Sequence, residues 1–189
     1  MPDAFDLLGI EPRFAIDAAE LDRRHRDLLT QLHPDRIPVP ADELIPDNAP
    51  APPDNPQSDA RAVLLSQLGE LNDAHRSLLD PIRRAEQLLV RRGRALTPDG
   101  DPELLARVFE QREAIEDATH RRDANSLSTY AAAARARQSA LIEELAAFFE
   151  TEQGCVSVPQ KTPIARVLDE LRYLKKLIER AELTLDELL

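Results

Sequence analysis

Apolar positions recur at helical spacing along most of the chain, and the places where that spacing fails mark its joints. Over residues 17–32, Leu21, His25, Leu28, Leu29 and Leu32 share one face, while Arg23, Arg24, Arg26 and Asp27 lie on the opposite side. Asp17 stands at the N-cap position, and Glu20 three residues later predicts a reciprocal capping box. A short helix is predicted over 3–8, closing near Gly9. From about Ala60, Leu64, Leu68, Leu71, His75 and Leu78 step by four and three, a buried stripe that stops at Asp80-Pro81. A further helix over 82–91 ends at Gly93.

Three longer helices follow. The first covers 102–121, with Leu104, Val108, Ile115 and Ala118 inward. The second covers 124–151, with Leu127, Ala131, Ala134, Gln138, Leu141, Leu145 and Phe148. The third covers 162–188, with Ile164, Val167, Leu171, Leu174, Ile178, Ala181, Leu185 and Leu188. No segment alternates with the period of a strand. The short connectors favour antiparallel neighbours. The predicted fold class is therefore all-α in two parts, a small helical unit with a long loop and then a bundle of about three helices.

Residues 37–59 break the pattern. They hold seven of the chain's 15 prolines and five acids with no base, which predicts an extended or disordered loop, a linker in the plainest reading. Pro34 ends the preceding helix, because proline disfavours the α region for the residue before it, here His33.

Composition narrows the function. Apolar residues make up 42% of the 189, enough for a buried core, and charged residues 31%. A formal net charge of −11 disfavours generic binding to phosphate backbones. The single cysteine, Cys155, builds neither a disulfide framework nor a cysteine metal site within the chain. No apolar run reaches the length of a membrane span. The opening MPDAFDLLGIEP lacks the basic, apolar build of a secretory signal, and its acids argue against a mitochondrial presequence. His25, His33, His75 and His120 are scattered, with no metal-ligand spacing, no glycine-rich phosphate loop and no nucleophile elbow, so no enzyme, metal or cofactor is expected.

The sharpest motif is His33-Pro34-Asp35 at the end of the arginine-bearing helix. A loop follows it. The next helix carries Leu71-Asn72-Asp73-Ala74, then Ser77-Leu78-Leu79-Asp80-Pro81, then Arg84-Ala85-Glu86. In these residues and their order the chain resembles the J-domain family, which implies an antiparallel helical hairpin with an HPD loop over 1–81, followed by a three-helix bundle over 82–189. The stretch 104–113, Leu104 to Glu113, and the later Leu171-Arg172-Tyr173-Leu174 are similar to those of HscB-type co-chaperones of iron–sulfur cluster assembly. The resemblance implies a co-chaperone that stimulates a DnaK/HscA-type ATPase through His33, Pro34, Asp35, Arg23, Arg24 and Arg26. It further implies that an IscU-type scaffold binds at Leu105, Phe109, Glu110, Glu113 and Tyr173. No nucleic acid or membrane is expected as a partner. Leu105, Phe109 and Glu113 lie at i, i+4 and i+8, about 100° around the helix from the core stripe, so they can be exposed together. The pattern also departs from the family. Leu32 precedes the HPD where an aromatic is common, His75 follows the Asn-x-Ala where an aromatic is common, and the loop is longer and more acidic than usual. The loop could fold back on the arginine face and weaken docking. The four-cysteine extension of some eukaryotic relatives is not seen, which favours a cytoplasmic protein of bacterial type.

Overall fold

The computed structural model describes residues 2–32, 56–93, 100–151 and 163–188. These form seven helices: α1 (Ala4–Leu8), α2 (Ala18–Gln31), α3 (Pro56–Leu79), α4 (Pro81–Arg91), α5 (Pro102–His120), α6 (Ala124–Thr151) and α7 (Pro163–Leu188). Among the described residues there is no strand, and the fold is all-α as the periodicity implied. His33, Pro34 and Asp35 lie outside the described residues, as do Cys155 and the proline-rich segment up to Asn55. The chain divides into two compact units, residues 1–87 and 88–189.

In the first unit α1, α2 and α3 pack on one another. The core contains Phe5, Leu8, Phe14, Leu21, Leu64, Leu71 and Leu78. Two sequence expectations need correction here. Residues 56–59 are not loop: α3 starts at Pro56, a residue suited to the first helical position, where its missing N–H leaves no bond unmade. The capping box expected at α2 is also absent. The Asp17 side chain accepts from the Ala19 N–H at 2.9 Å, but the Glu20 carboxylate is drawn to Arg23 and Arg24 instead of returning to the cap. A reciprocal box does form at α1, where Asp3 and Asp6 each accept the other's backbone N–H, and Gly9 closes that helix at φ 60°.

Arg84 fastens the end of the hairpin. Its Nε donates to the Leu78 carbonyl at 2.7 Å, and its Nη2 to Leu79 at 3.3 Å. Its Nη1 donates to the Phe14 carbonyl at 2.7 Å, and the guanidinium lies 5.3 Å from the Phe14 ring centroid. Carbonyls left open at the C-terminus of α3 are thereby satisfied by a half-buried cation, and its partial burial pushes the Arg84 guanidinium below its ordinary value. Asp80 caps α4 by accepting from Ile82 N–H at 2.9 Å.

In the second unit α6 and α7 pack along each other and α5 lies against both. Leu104, Ile115 and Ala118 of α5, Leu127, Leu141 and Leu145 of α6, and Leu168, Leu171 and Ala181 of α7 are buried. The periodicity turns Phe148 inward, but Phe149 takes the buried place; the two rings meet edge to face at 5.6 Å, and the Arg92 guanidinium covers Phe149 at 5.0 Å. Asp101 and Pro102 start α5, with the Asp101 carboxylate accepting from Glu103 N–H at 3.0 Å. Between α5 and α6 the turn puts Arg122 at φ 53°, and Asp123 caps α6 through Ser126 N–H at 3.0 Å.

Candidate partner-binding surfaces

The first candidate surface is the solvent side of α2. Arg23, Arg24 and Arg26 are all exposed there. Glu20 anchors two of them: Arg23 Nε and Arg24 Nε each donate to it at 3.0 Å, on separate oxygens. Arg23 first, then Arg24, hold the Glu20 carboxyl below its ordinary value. Arg26 Nε reaches its own helix at the Asp22 carbonyl, 3.3 Å away. The arginines thus stand preorganised along one side of the helix. The sequence marks the acid that organises them as a cap residue, yet its spacing to Arg23 and Arg24, i+3 and i+4, is that of helical ion pairs.

The second candidate surface is on α5. Leu105 is 50% and Phe109 62% exposed, whereas Leu104 beside them is 8% exposed, so the helix separates an outward apolar pair from the inward stripe. Glu110 and Glu113 are exposed next to them. Val63, Leu65, Leu79, Val90 and Leu183 are also exposed, but none of these stands one turn from another, so they form no helical ledge of this kind. Tyr173 of α7 does not join the ledge as an open side chain. It is half-buried, and its hydroxyl donates to the Val108 carbonyl of α5 at 2.7 Å; burial pushes its pKa up.

Sequence reasoning missed the polar clasp behind α5. Glu170 of α7 is 6% exposed and accepts from Arg137 Nε at 2.8 Å and Nη2 at 3.0 Å, and Arg107 Nη2 of α5 lies 3.7 Å away. Arg137 first, and then the neighbouring arginines against the opposing effect of burial, hold the Glu170 carboxyl below its ordinary value. Arg166 of α7 pairs with Asp101 at 2.9 Å, and Arg180 approaches Glu116 at 3.9 Å. The available signal was an acid at 170 between Val167 and Leu171, inside an otherwise apolar stripe. Among the described residues no group of three or more His, Cys, Asp or Glu could hold a metal. No described helix is long and apolar enough to cross a membrane.

The described residues thus form a helical unit with an arginine-lined helix, and a helical bundle presenting an apolar ledge. Comparison with known proteins carries this further. Residues 100–182 match the family model of the HSCB C-terminal oligomerisation domain. A co-chaperone protein HscB homolog of Burkholderia multivorans is 29% identical over 174 residues, covering 88% of this chain and 90% of that protein. One from Vibrio vulnificus is 29% identical over 182 residues, covering 94% and 95%. Among solved structures, the chaperone HscB from Vibrio cholerae superposes with a TM-score of 0.75 at 25% identity, covering 100% of both chains. The human co-chaperone HscB shares the fold with a TM-score of 0.63 at 20% identity, over 97% of this chain and 84% of that one. Over most of its length the chain is thus similar to HscB co-chaperones, and its residues 100–182 to their C-terminal domain.

Proposed function

We propose that this chain is a co-chaperone that stimulates the ATPase of a DnaK/HscA-type chaperone and delivers an IscU-type iron–sulfur scaffold to it. His33, Pro34 and Asp35, together with Arg23, Arg24 and Arg26, form the ATPase-docking side in this reading. Leu105 and Phe109, rimmed by Glu110 and Glu113, form the scaffold-docking side, with Tyr173 supporting α5 from behind. The observation that carries the reading is the outward pair Leu105 and Phe109, one turn apart on a helix whose Leu104, Ile115 and Ala118 are buried. Apolar surface at a patch centre with a charged rim suits recognition of another protein.

On the first side the mechanism is electrostatic. The chain carries a net charge of −11, so a local row of arginines gives an approaching acidic partner a preferred orientation. Pro34 fixes φ in the loop and Asp35 offers a carboxylate to a cation of the partner. Docking brings these groups to the ATPase without their touching nucleotide.

Calorimetric titration of an IscU-type scaffold into the wild-type chain and into Phe109→Ala tests the second side. Truncating a central aromatic anchor is expected to weaken binding at least tenfold, about 1.4 kcal/mol or more, with the helical content unchanged. Equal affinity would remove the ledge from the scaffold site. An absence of binding by the wild-type chain would leave the co-chaperone with a different client.

A further inference from the structure

The first unit carries a device that neither docking surface uses. His25 of α2 and His75 of α3 stack face to face, with ring centroids 4.1 Å apart and planes inclined by 11°. His25 Nε2 lies 3.0 Å from Asn72 Oδ1, and His75 Nε2 lies 2.7 Å from Asp22 Oδ1. Each ring therefore meets an acceptor on the opposite helix. Two crossed hydrogen bonds and one stack bolt α2 to α3, and His25 sits between Arg24 and Arg26 in the sequence.

This geometry accommodates one added proton and resists two. A proton on His75 is matched by the Asp22 carboxylate. A proton on His25 faces the neutral amide of Asn72 and another imidazole at stacking distance. Two charged rings so close in a partly buried place repel each other. Burial, and secondarily His75, lower the His25 pKa against the opposing pull of Asn72 and Asp22. The third helix packed here, α1, contributes Asp6 as its one charged group, exposed and engaged with the Asp3 backbone. On α3, the exposed Asp73 and Arg76 pair with each other at 3.5 Å.

We propose that the His25–His75 stack is a pH-sensitive positioning pair, which holds the arginine-bearing α2 against α3 at neutral pH and loosens it when both rings are charged. Its functional half rests on the reading of α2 as the ATPase-docking helix; its structural half does not. The sign follows from linkage. A folded-state value lowered for His25 means that the unfolded chain binds more protons, so its stabilising contribution is full above the unfolded value of about 6.5 and is lost as the pH falls through the folded value.

The test follows histidine Cε1–H signals of the full chain by NMR between pH 8 and 5. Thermal unfolding and stimulated ATPase are measured over the same range. Wild type is compared with His25→Phe, which keeps a flat ring that cannot take a proton. In wild type the His25 signal is expected to titrate below the ordinary histidine range. In His25→Phe, both the thermal midpoint and the ATPase stimulation should fall less on acidification than in wild type. Should His25→Phe fail to fold, Asp22→Asn decides: losing the carboxylate should move the His25 titration to still lower pH. Titration of His25 at its ordinary value, or identical acid sensitivity in wild type and His25→Phe, would overturn the proposal. A lowered His25 titration with no ATPase stimulation at any pH would remove the docking reading of α2 and leave the pair's structural role standing.

Discussion

The two candidate surfaces are borne by helices fastened in different ways. On α2, Leu21 is the one fully buried side chain, with Leu28, Leu29 and Leu32 half-buried, and its link to α3 includes the histidine stack and its two hydrogen bonds. On α5, Leu104, Ile115 and Ala118 are buried, and polar links from α7 join them: Tyr173 to Val108, Glu170 toward Arg107, Arg166 to Asp101. Apolar burial is tolerant of small rotations, because many dispersion contacts change a little at once. A hydrogen bond from a fixed donor is not, because it weakens steeply with angle. The bundle thus sets the rotation of α5, and so which apolar residues face outward. On α2 the directional links run through a titratable pair, beside the apolar contact of Leu21.

The largest effect that sharpens this contrast is expected for Leu21→Ala. Leu21 is fully buried and is the main apolar anchor of α2, so its truncation should cost about 2–5 kcal/mol in denaturant unfolding followed by helical circular dichroism. A loss below about 1 kcal/mol would mean that α2 is not held by its core contact.

The clasp comes next. Glu170→Gln should cost about 1.5–3 kcal/mol, the range for hydrogen bonds to charged groups. Because the Glu170 pKa is lowered in the folded chain, its contribution is present above the unfolded carboxylate value of about 4.3 and is lost as the pH falls through the folded value. The variant should therefore lose less stability than wild type on acidification below that range, and equal slopes would show that the carboxylate is not coupled to folding.

Tyr173→Phe removes one hydroxyl and keeps the ring. It should cost about 0.5–1.5 kcal/mol, and weaken scaffold binding through altered rotation of α5 while leaving ATPase stimulation without scaffold unchanged. Equal loss in both assays would indicate general destabilisation. The smallest effect has the opposite sign. Gly69 lies inside α3 with open space where a Cβ would stand, so Gly69→Ala should stabilise by about 0.4–1 kcal/mol in the same unfolding assay.

Much of this arrangement was legible in the chain because it depends on spacing within one helix. The bounds of α6, the inward stripe of α5 and the outward phase of Leu105 and Phe109 follow from a rise and rotation per residue that tertiary structure hardly alters. What escaped depends on pairing between helices. The periodicity puts His25 and His75 each on an inward stripe, but their meeting depends on the register of α2 against α3, which periodicity does not encode. Glu170 was hidden for the same reason, since Arg137 is 33 residues away on another helix. Glu20 shows a local competition lost: a cap bond to one N–H gave way to two guanidinium partners on the next turn. Pro56 shows a compositional rule carried too far, because proline stops a helix from within but is well placed at its start.

The central claim, that one chain joins an ATPase-stimulating side to a scaffold-binding side, is tested most directly by single-turnover ATP hydrolysis on a DnaK/HscA-type chaperone. Wild type, His33→Gln and Leu105→Ala/Phe109→Ala would each be measured with and without an IscU-type scaffold. The account predicts stimulation by wild type that rises with scaffold, no stimulation by His33→Gln under either condition, and stimulation by the double variant that no longer responds to scaffold. Failure of the wild-type chain to stimulate hydrolysis at all would contradict it.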